Sequence, residues 1–163
     1  MAISLLTIFA AAILTHNMAF TYLLGMCPFI SLSKNLRTAS GMGFAVIFVV
    51  TLTALINWPI YNLILVPTGT ELIYYIVFII VIAASVQLVE MIMERFFPPL
   101  QAAFGIFLPL ITVNCTVLAV SLFLVIREYN YLTTIVFAFG SAVGWIVAIV
   151  IVAAINEKLK LIG

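Results

Sequence analysis

The sequence predicts an all-α, polytopic membrane protein, built as an inverted-repeat helical bundle with two broken helices. Of its 163 residues, 67% are hydrophobic and 7% are charged, and the mean hydropathy is +1.41, which is far too apolar for a soluble domain. Apolar runs recur at the length that a membrane span requires. Helix-breaking residues interrupt two of these runs. We expect a single integral membrane domain over residues 1–163, with a first repeat of about 1–95 and a second of about 96–163.

Five apolar segments account for the bundle. Each is predicted to be helical, because backbone groups in lipid must form their hydrogen bonds within the segment. The first segment is too long for one straight span and contains Gly25-Met26-Cys27-Pro28. The fourth is interrupted over residues 109–115, from Pro109 to Cys115, and Pro109 lacks a backbone donor and disfavours helix before it. Both are therefore predicted to be discontinuous or re-entrant helices. The five segments cover residues 3–32, 41–57, 72–93, 102–126 and 131–155.

Turn residues separate the middle segments. Asn57-Trp58-Pro59 and Pro67-Thr68-Gly69 predict one turn region, and Phe96-Phe97-Pro98-Pro99 predicts another. The two halves also correspond in layout, since each has a broken helix with a cysteine, a short charged connection and a glycine-bearing helix. Their connections leave on opposite sides, which is typical of an inverted repeat with a site near the bilayer midplane. A complete repeat would have six spans, and five are visible.

The distribution of charge predicts the orientation. Six Lys and Arg nearly balance five acidic residues, so neither a nucleic-acid surface nor a polybasic lipid-binding patch is indicated. Arg127 is the one cation assigned to the side opposite the others, so the positive-inside rule places the N-terminus outside the cytoplasm. The cations assigned to the cytoplasmic side are Lys34, Arg37, Arg95, Lys158 and Lys160.

Cys27 and Cys115 are the only cysteines, and each lies at a helix break within an apolar run. The alternative is that both are small buried hydrophobic residues. A pair of thiolates at membrane depth implies a bound cation, because an uncompensated charge in hydrocarbon is very costly. Sulfur ligands select iron, iron–sulfur clusters, zinc or copper(I). Iron–sulfur clusters commonly take four thiolates, so a second polypeptide would supply the other two.

Several further residues are candidates for supporting roles. Glu90 is a carboxylate at membrane depth and hence a candidate for an ion pathway, with a solvated interfacial carboxylate as the alternative. His16 is interpreted as a structural hydrogen-bonding residue rather than a titrating group. Candidate hydrogen-bond donors around the sulfurs are the backbone of Gly25 and Met26 and the side chains of Thr112, Asn114 and Thr116.

The chain lacks the motifs that would let it act alone. It has no phosphate-binding loop, and its single histidine argues against bis-histidine haem. No stretch outside the apolar segments is long enough for a flavin or NAD domain. The energy source is therefore expected in other subunits.

Three groups of motifs carry a family resemblance over nearly the whole chain. The residues from His16 to Phe29, followed by Ser33-Lys34, form the first, and Glu90-Met91-Ile92 with residues 95–100 and 105–115 forms the second. They resemble the paired membrane subunits of the Na⁺-translocating NADH:quinone oxidoreductases and the related Rnf complexes. The third group, residues 127–130 and 139–145, resembles the E-type subunit of the quinone reductase more than its Rnf counterpart, the A-type subunit.

The resemblance implies a function in electron transfer. It implies pairing with a homologous D-type subunit of opposite topology, and an iron or [2Fe–2S] centre held jointly, with Cys27 and Cys115 as this chain's ligands. NADH and flavins would be bound by other subunits, electrons would reduce quinone, and Na⁺ would be exported across a bacterial inner membrane, with the N-terminus periplasmic. Family members continue into a sixth helix, whereas this sequence ends at Gly163.

Three alternatives remain at the level of sequence. An A-type subunit of an Rnf complex would serve ferredoxin and NAD with the same cysteines. A small secondary transporter would use the broken helices for a solute and contain no iron. A structural membrane scaffold would have no site of its own.

Overall fold

The structure is a computed structural model that describes residues 1–17, 19–24, 26, 27, 30, 36–69, 71–99, 102 and 108–163, without the side chains of Glu71 and Leu108. The described residues form an all-α bundle, as predicted. A 3₁₀ turn, Glu71–Ile73, precedes the third helix. The helices are α1 (Ala2–Leu14), α2 (Leu36–Ile60), α3 (Tyr74–Phe96), α4 (Leu108–Thr112), α5 (Cys115–Ile126) and α6 (Tyr131–Ile162).

Within the described residues, four helical stretches are long and apolar enough to cross a membrane. They are Leu36–Thr68, Tyr74–Phe96, Pro109–Ile126 and Tyr131–Ile162. The 13-residue α1 is apolar but shorter. The multi-pass membrane character predicted from composition is thus confirmed.

Helices α2 and α6 form the centre of the bundle and run antiparallel. At one end, the indole nitrogen of Trp58 donates to the carbonyl of Tyr129 at 2.9 Å. Further along, Gly43 packs so closely on Ile146 that an added Cβ would overlap the Cγ1 and Cδ1 atoms of that residue. The fully buried Trp145 fills the core beside this contact. Small residues at the interface let the two backbones approach, as is usual between membrane helices.

Helix α1 packs on α6 through two further glycines. A Cβ on Gly140 would lie 3.0 Å from Ala12, and one on Gly144 would lie 3.2 Å from the carbonyl oxygen of Ile13. The periphery is formed by α3, of which only 22% is buried, and it exposes an apolar face suited to lipid. Whether the two halves form an inverted repeat is not tested by these contacts, and it stays a prediction.

One predicted turn is wrong. The sequence Asn57-Trp58-Pro59 predicts that the second span ends at residue 57, but the helix continues to Thr68. A π-helical turn, Tyr61–Leu65, follows Pro59. In this turn a carbonyl accepts the N–H of the fifth residue after it rather than the fourth, as in the bond from Val66 N to Tyr61 O. Such a turn re-forms backbone hydrogen bonds near a proline. The helix ends instead at Gly69, whose φ of 68° is left-handed, so the predicted turn at Pro67-Thr68-Gly69 is confirmed.

The second break lies within the predicted stretch, residues 109–115. Pro109 itself is part of α4. The chain leaves the helical conformation at Val113 and Asn114, and Asn114 adopts an extended backbone with φ −71° and ψ 113°.

Candidate metal centre at two helix breaks

Cys115 is the first residue of α5, directly after the second break. The side-chain oxygen of Asn114 accepts the backbone N–H of Thr116 at 3.0 Å, and the backbone carbonyl of Asn114 accepts that of Val117 at 3.2 Å. Asparagine is among the best residues for this N-cap position. The Asn114 cap therefore explains why the helix restarts here and why Cys115 is held at its positive end.

Cys27 follows the first break. Helix α1 ends at Leu14, and the chain then turns, with Leu23 in a left-handed conformation at φ 54°. This conformation is costly for a residue with a Cβ, so the break is a defined feature of the fold. The half-buried Met26 and the exposed Cys27 are both helical, and Gly25 lies outside the described residues.

Both cysteines are free thiols on the surface of the chain. The alternative that they are small hydrophobic residues of the core is therefore wrong for this chain, since neither residue is buried. The Cys115 sulfur has only a weak contact, 4.0 Å from the carbonyl of Val113. Within the described residues, no group of three or more His, Cys, Asp and Glu side chains is arranged to hold a metal ion.

The two broken segments are neighbours in the structure. The ring of Tyr22, from the first break, lies 5.2 Å from that of Phe123 on α5. Ala19 belongs to the same buried cluster as Val117 and Val120 of α5. The fold thus packs the segment before Cys27 against the helix that begins at Cys115.

Two buried polar atoms near Cys115 have no partner among the described residues. They are the amide nitrogen of Asn114 and the hydroxyl of Thr116, and their residues are 3% and 0% exposed. Thr112 is half-buried at the end of α4. Unpartnered buried donors are rare and call for an explanation, and a neighbouring anionic sulfur site is one.

Glu90 lies on α3, away from this arrangement. Its side chain is half-buried, whereas Glu94, one turn later, is exposed. The described part of the chain shows no ion pair for Glu90 and no hydrogen bond from it to the residues around the cysteines. The structure therefore does not bring Glu90 together with the predicted metal ligands.

The structure also shows anchoring residues that sequence reasoning missed. Arg127 Nη2 lies 3.2 Å from Nε2 of His16, and Arg127 Nη1 donates to the hydroxyl of Tyr129 at 3.1 Å. Asn17 donates to the carbonyl of Gly144 at 3.0 Å and caps the backbone N–H of Ala19. His16 is thus structural, as interpreted, and its partners are Tyr22 and Arg127, which follows the neighbouring helix α5. The asparagines at the two breaks, Asn17 and Asn114, could have indicated these backbone contacts from the sequence, because asparagine side chains often bond to nearby backbone groups.

Comparison with known proteins agrees with this architecture. Residues 5–162 match the family described as "Rnf-Nqr subunit, membrane protein". The chain belongs to the Rnf-Nqr family of membrane subunits.

Two relatives are similar over almost the whole chain. The E-type subunit of the Na(+)-translocating NADH-quinone reductase of Serratia proteamaculans (strain 568) is 47% identical over 161 residues, which cover 95% of this chain and 81% of that protein. The protein of the same name from Proteus mirabilis (strain HI4320) is 46% identical over equal shares. Within the Rnf-Nqr family, this chain is thus similar to quinone-reductase subunits.

Proposed function

We propose that this chain is the E-type subunit of a Na⁺-translocating NADH–quinone reductase, and that it carries electrons across the membrane without being catalytic alone. The similarity to the two quinone-reductase subunits supports this role over that of the A-type subunit in an Rnf complex. The family includes both, and the same cysteines would serve either.

In this proposal Cys27 and Cys115 supply half of the ligands of an iron or [2Fe–2S] centre, and a homologous D-type subunit supplies the other half. The observation that carries the proposal is the exposure of both thiols, each of which follows a helix break in an otherwise apolar chain. Two sulfurs on the surface of one chain are available to a neighbouring polypeptide, whereas buried ones would not be.

The residues around the sulfurs fit such a centre. When bound, an iron or iron–sulfur centre takes up and releases single electrons. The cap at Asn114 fixes the backbone that carries Cys115, and the positive end of α5 favours an anionic sulfur. The unpartnered donors of Asn114 and Thr116 can orient the ligand from inside the protein. NADH, flavins and quinone are assigned to other subunits of the complex.

Metal analysis of the purified complex tests the ligand role. We expect Cys27→Ser and Cys115→Ser to remove the iron shared by the two subunits, because a hydroxyl is a much poorer ligand for iron than a thiolate. Val113→Ala is the matched control, since Val113 is 65% exposed at the same break and has no donor side chain. Iron content equal to the wild type in both serine variants would contradict the assignment.

The membrane orientation follows the charge count. We propose that the protein lies in a bacterial inner membrane with its N-terminus in the periplasm, since the C-terminal end of α6 carries Lys158 and Lys160 while the connection from α5 to α6 carries Arg127. The cytoplasmic side is then the one on which electrons enter from NADH.

Glu90 is proposed to act in Na⁺ coupling. We expect Glu90→Gln to reduce Na⁺ transport severalfold in proteoliposomes while leaving the complex assembled. A half-buried carboxylate within a membrane span is energetically unfavourable, and such residues usually have a function in ion transport. Glu94→Gln is the matched control, as it removes a carboxylate one turn away at an exposed position. Unchanged Na⁺ transport by Glu90→Gln would exclude a role in coupling.

A further inference from the structure

A polar cavity of about 360 Å³ lies at the end of the bundle where the α2 helix passes into its π-helical turn and α5 connects to α6. Its lining residues include four polar ones, Asn57, Ser121, Glu128 and Asn130. By contrast, the cavity of similar size between α2 and α3 has an almost entirely apolar lining. A concentration of polar groups in so apolar a chain indicates a binding site.

Asn57 is one of the lining residues, and its amide oxygen has no hydrogen-bond partner among the described residues. Asn57 is 1% exposed, and its nitrogen donates to the hydroxyl of Ser121 at 2.9 Å. That hydroxyl donates its single proton to the carbonyl of Val117 at 3.2 Å. Ser121 can therefore only accept from Asn57, which fixes the orientation of the amide. The Asn57 Oδ1 atom is left buried without a hydrogen bond among the described residues.

The charge of the cavity is negative. Among the described lining residues, Glu128 is the only charged one, and no described cation forms an ion pair with it. The neighbouring Arg127 points away from the cavity, towards His16 and the rings of Phe123 and Phe137. The C-terminus of α5 and the N-terminus of α6 both lie here with opposite partial charges. The electrostatic potential of the cavity is therefore set by the full negative charge of Glu128.

We propose that this cavity binds one alkali-metal cation, Na⁺, between the Asn57 Oδ1 atom and the carboxylate of Glu128, with water completing the coordination. Hard cations prefer carboxylate, carbonyl and water oxygens, and such a cation would provide the partner that Asn57 Oδ1 lacks. A single carboxylate favours a monovalent ion, because Ca²⁺ sites commonly combine several carboxylates. Only the choice of Na⁺ among alkali cations rests on the proposed function.

Direct Na⁺ binding tests this site. The full chain is placed in nanodiscs of uncharged lipid, and ²²Na⁺ binding is measured by equilibrium dialysis. We expect saturable binding of one Na⁺ per chain, and binding about tenfold weaker in Glu128→Gln, because the variant removes the one charged side chain among the described lining residues. Glu157→Gln, the same change near the C-terminal end of α6, should leave the affinity unchanged.

Two results would overturn the proposal. One is the absence of saturable Na⁺ binding by the wild-type chain, and the other is an affinity in Glu128→Gln equal to that of the wild type. Asn57→Leu should also weaken binding, and an unchanged affinity in that variant would exclude the Asn57 ligand. Since Glu128 is exposed, Glu128→Gln should fold normally, and a melting curve checks this. The assay involves no electron transfer, so its outcome is independent of the iron centre.

Discussion

Replacing either Cys27 or Cys115 by serine is expected to abolish electron transfer to quinone in the assembled complex. Loss of groups that merely orient a metal ligand typically costs 10–100-fold, so loss of a ligand itself should lower the rate of quinone reduction by more than about 100-fold. Stopped-flow spectroscopy would follow flavin reduction and quinone reduction separately. Reduction of flavin by NADH should persist in the variants, while the later transfer to quinone fails.

The control for assembly is the amount of this subunit that copurifies with the complex. Because the flavins belong to other subunits, a block after flavin reduction reports the missing ligand when this subunit is present in the wild-type amount. Val113→Ala, at the break that precedes Cys115, should support quinone reduction at the wild-type rate. Wild-type quinone reduction by Cys27→Ser or Cys115→Ser would show that the altered sulfur is not on the electron path.

The second large effect is expected at the contact between α2 and α6. Gly43→Ala should destabilise the protein by about 1–3 kcal/mol, because the new methyl group overlaps the side chain of Ile146 and overpacking a tight contact costs that much. Thermal unfolding of the purified protein in detergent would measure the loss. The Cβ of Ile146 would lie 3.2 Å from the new methyl group, so rotation of the side chain alone does not relieve the crowding.

A compensating substitution makes this test specific. In the double variant Gly43→Ala with Ile146→Ala, the space freed on α6 should accept the methyl group and restore part of the lost stability. The coupling between the two substitutions should thus be favourable in a double-mutant cycle. Strictly additive losses would show that Gly43 and Ile146 are not in contact.

The helical class, the apolar segments and the existence of two breaks are predictable from the sequence, because hydropathy and helix-breaking residues act locally. The same reasoning does not fix the residue at which a helix ends. Pro59 predicts a turn, although the helix continues past it through a π-helical turn. The stretch from Pro109 to Cys115 contains the predicted break, and the Asn114 cap sets its position.

The candidate site is predictable in part. The cysteines can be identified because thiols at helix breaks are rare in an apolar chain, and their surface exposure agrees with a shared centre. The contact between His16 and Arg127 joins residues 111 positions apart, and a single sequence contains no signal for such a pair. The same holds for Asn57 and Ser121, since each residue taken alone is an ordinary polar residue within a helix.

The most direct test of the shared centre is the anomalous density of iron in the intact complex. The account predicts iron density between the Cys27 and Cys115 sulfurs of this chain and two sulfurs of the neighbouring membrane protein. Cys115→Ser should abolish that density. A map in which both thiols face lipid, or another polypeptide with no metal between them, would contradict the account.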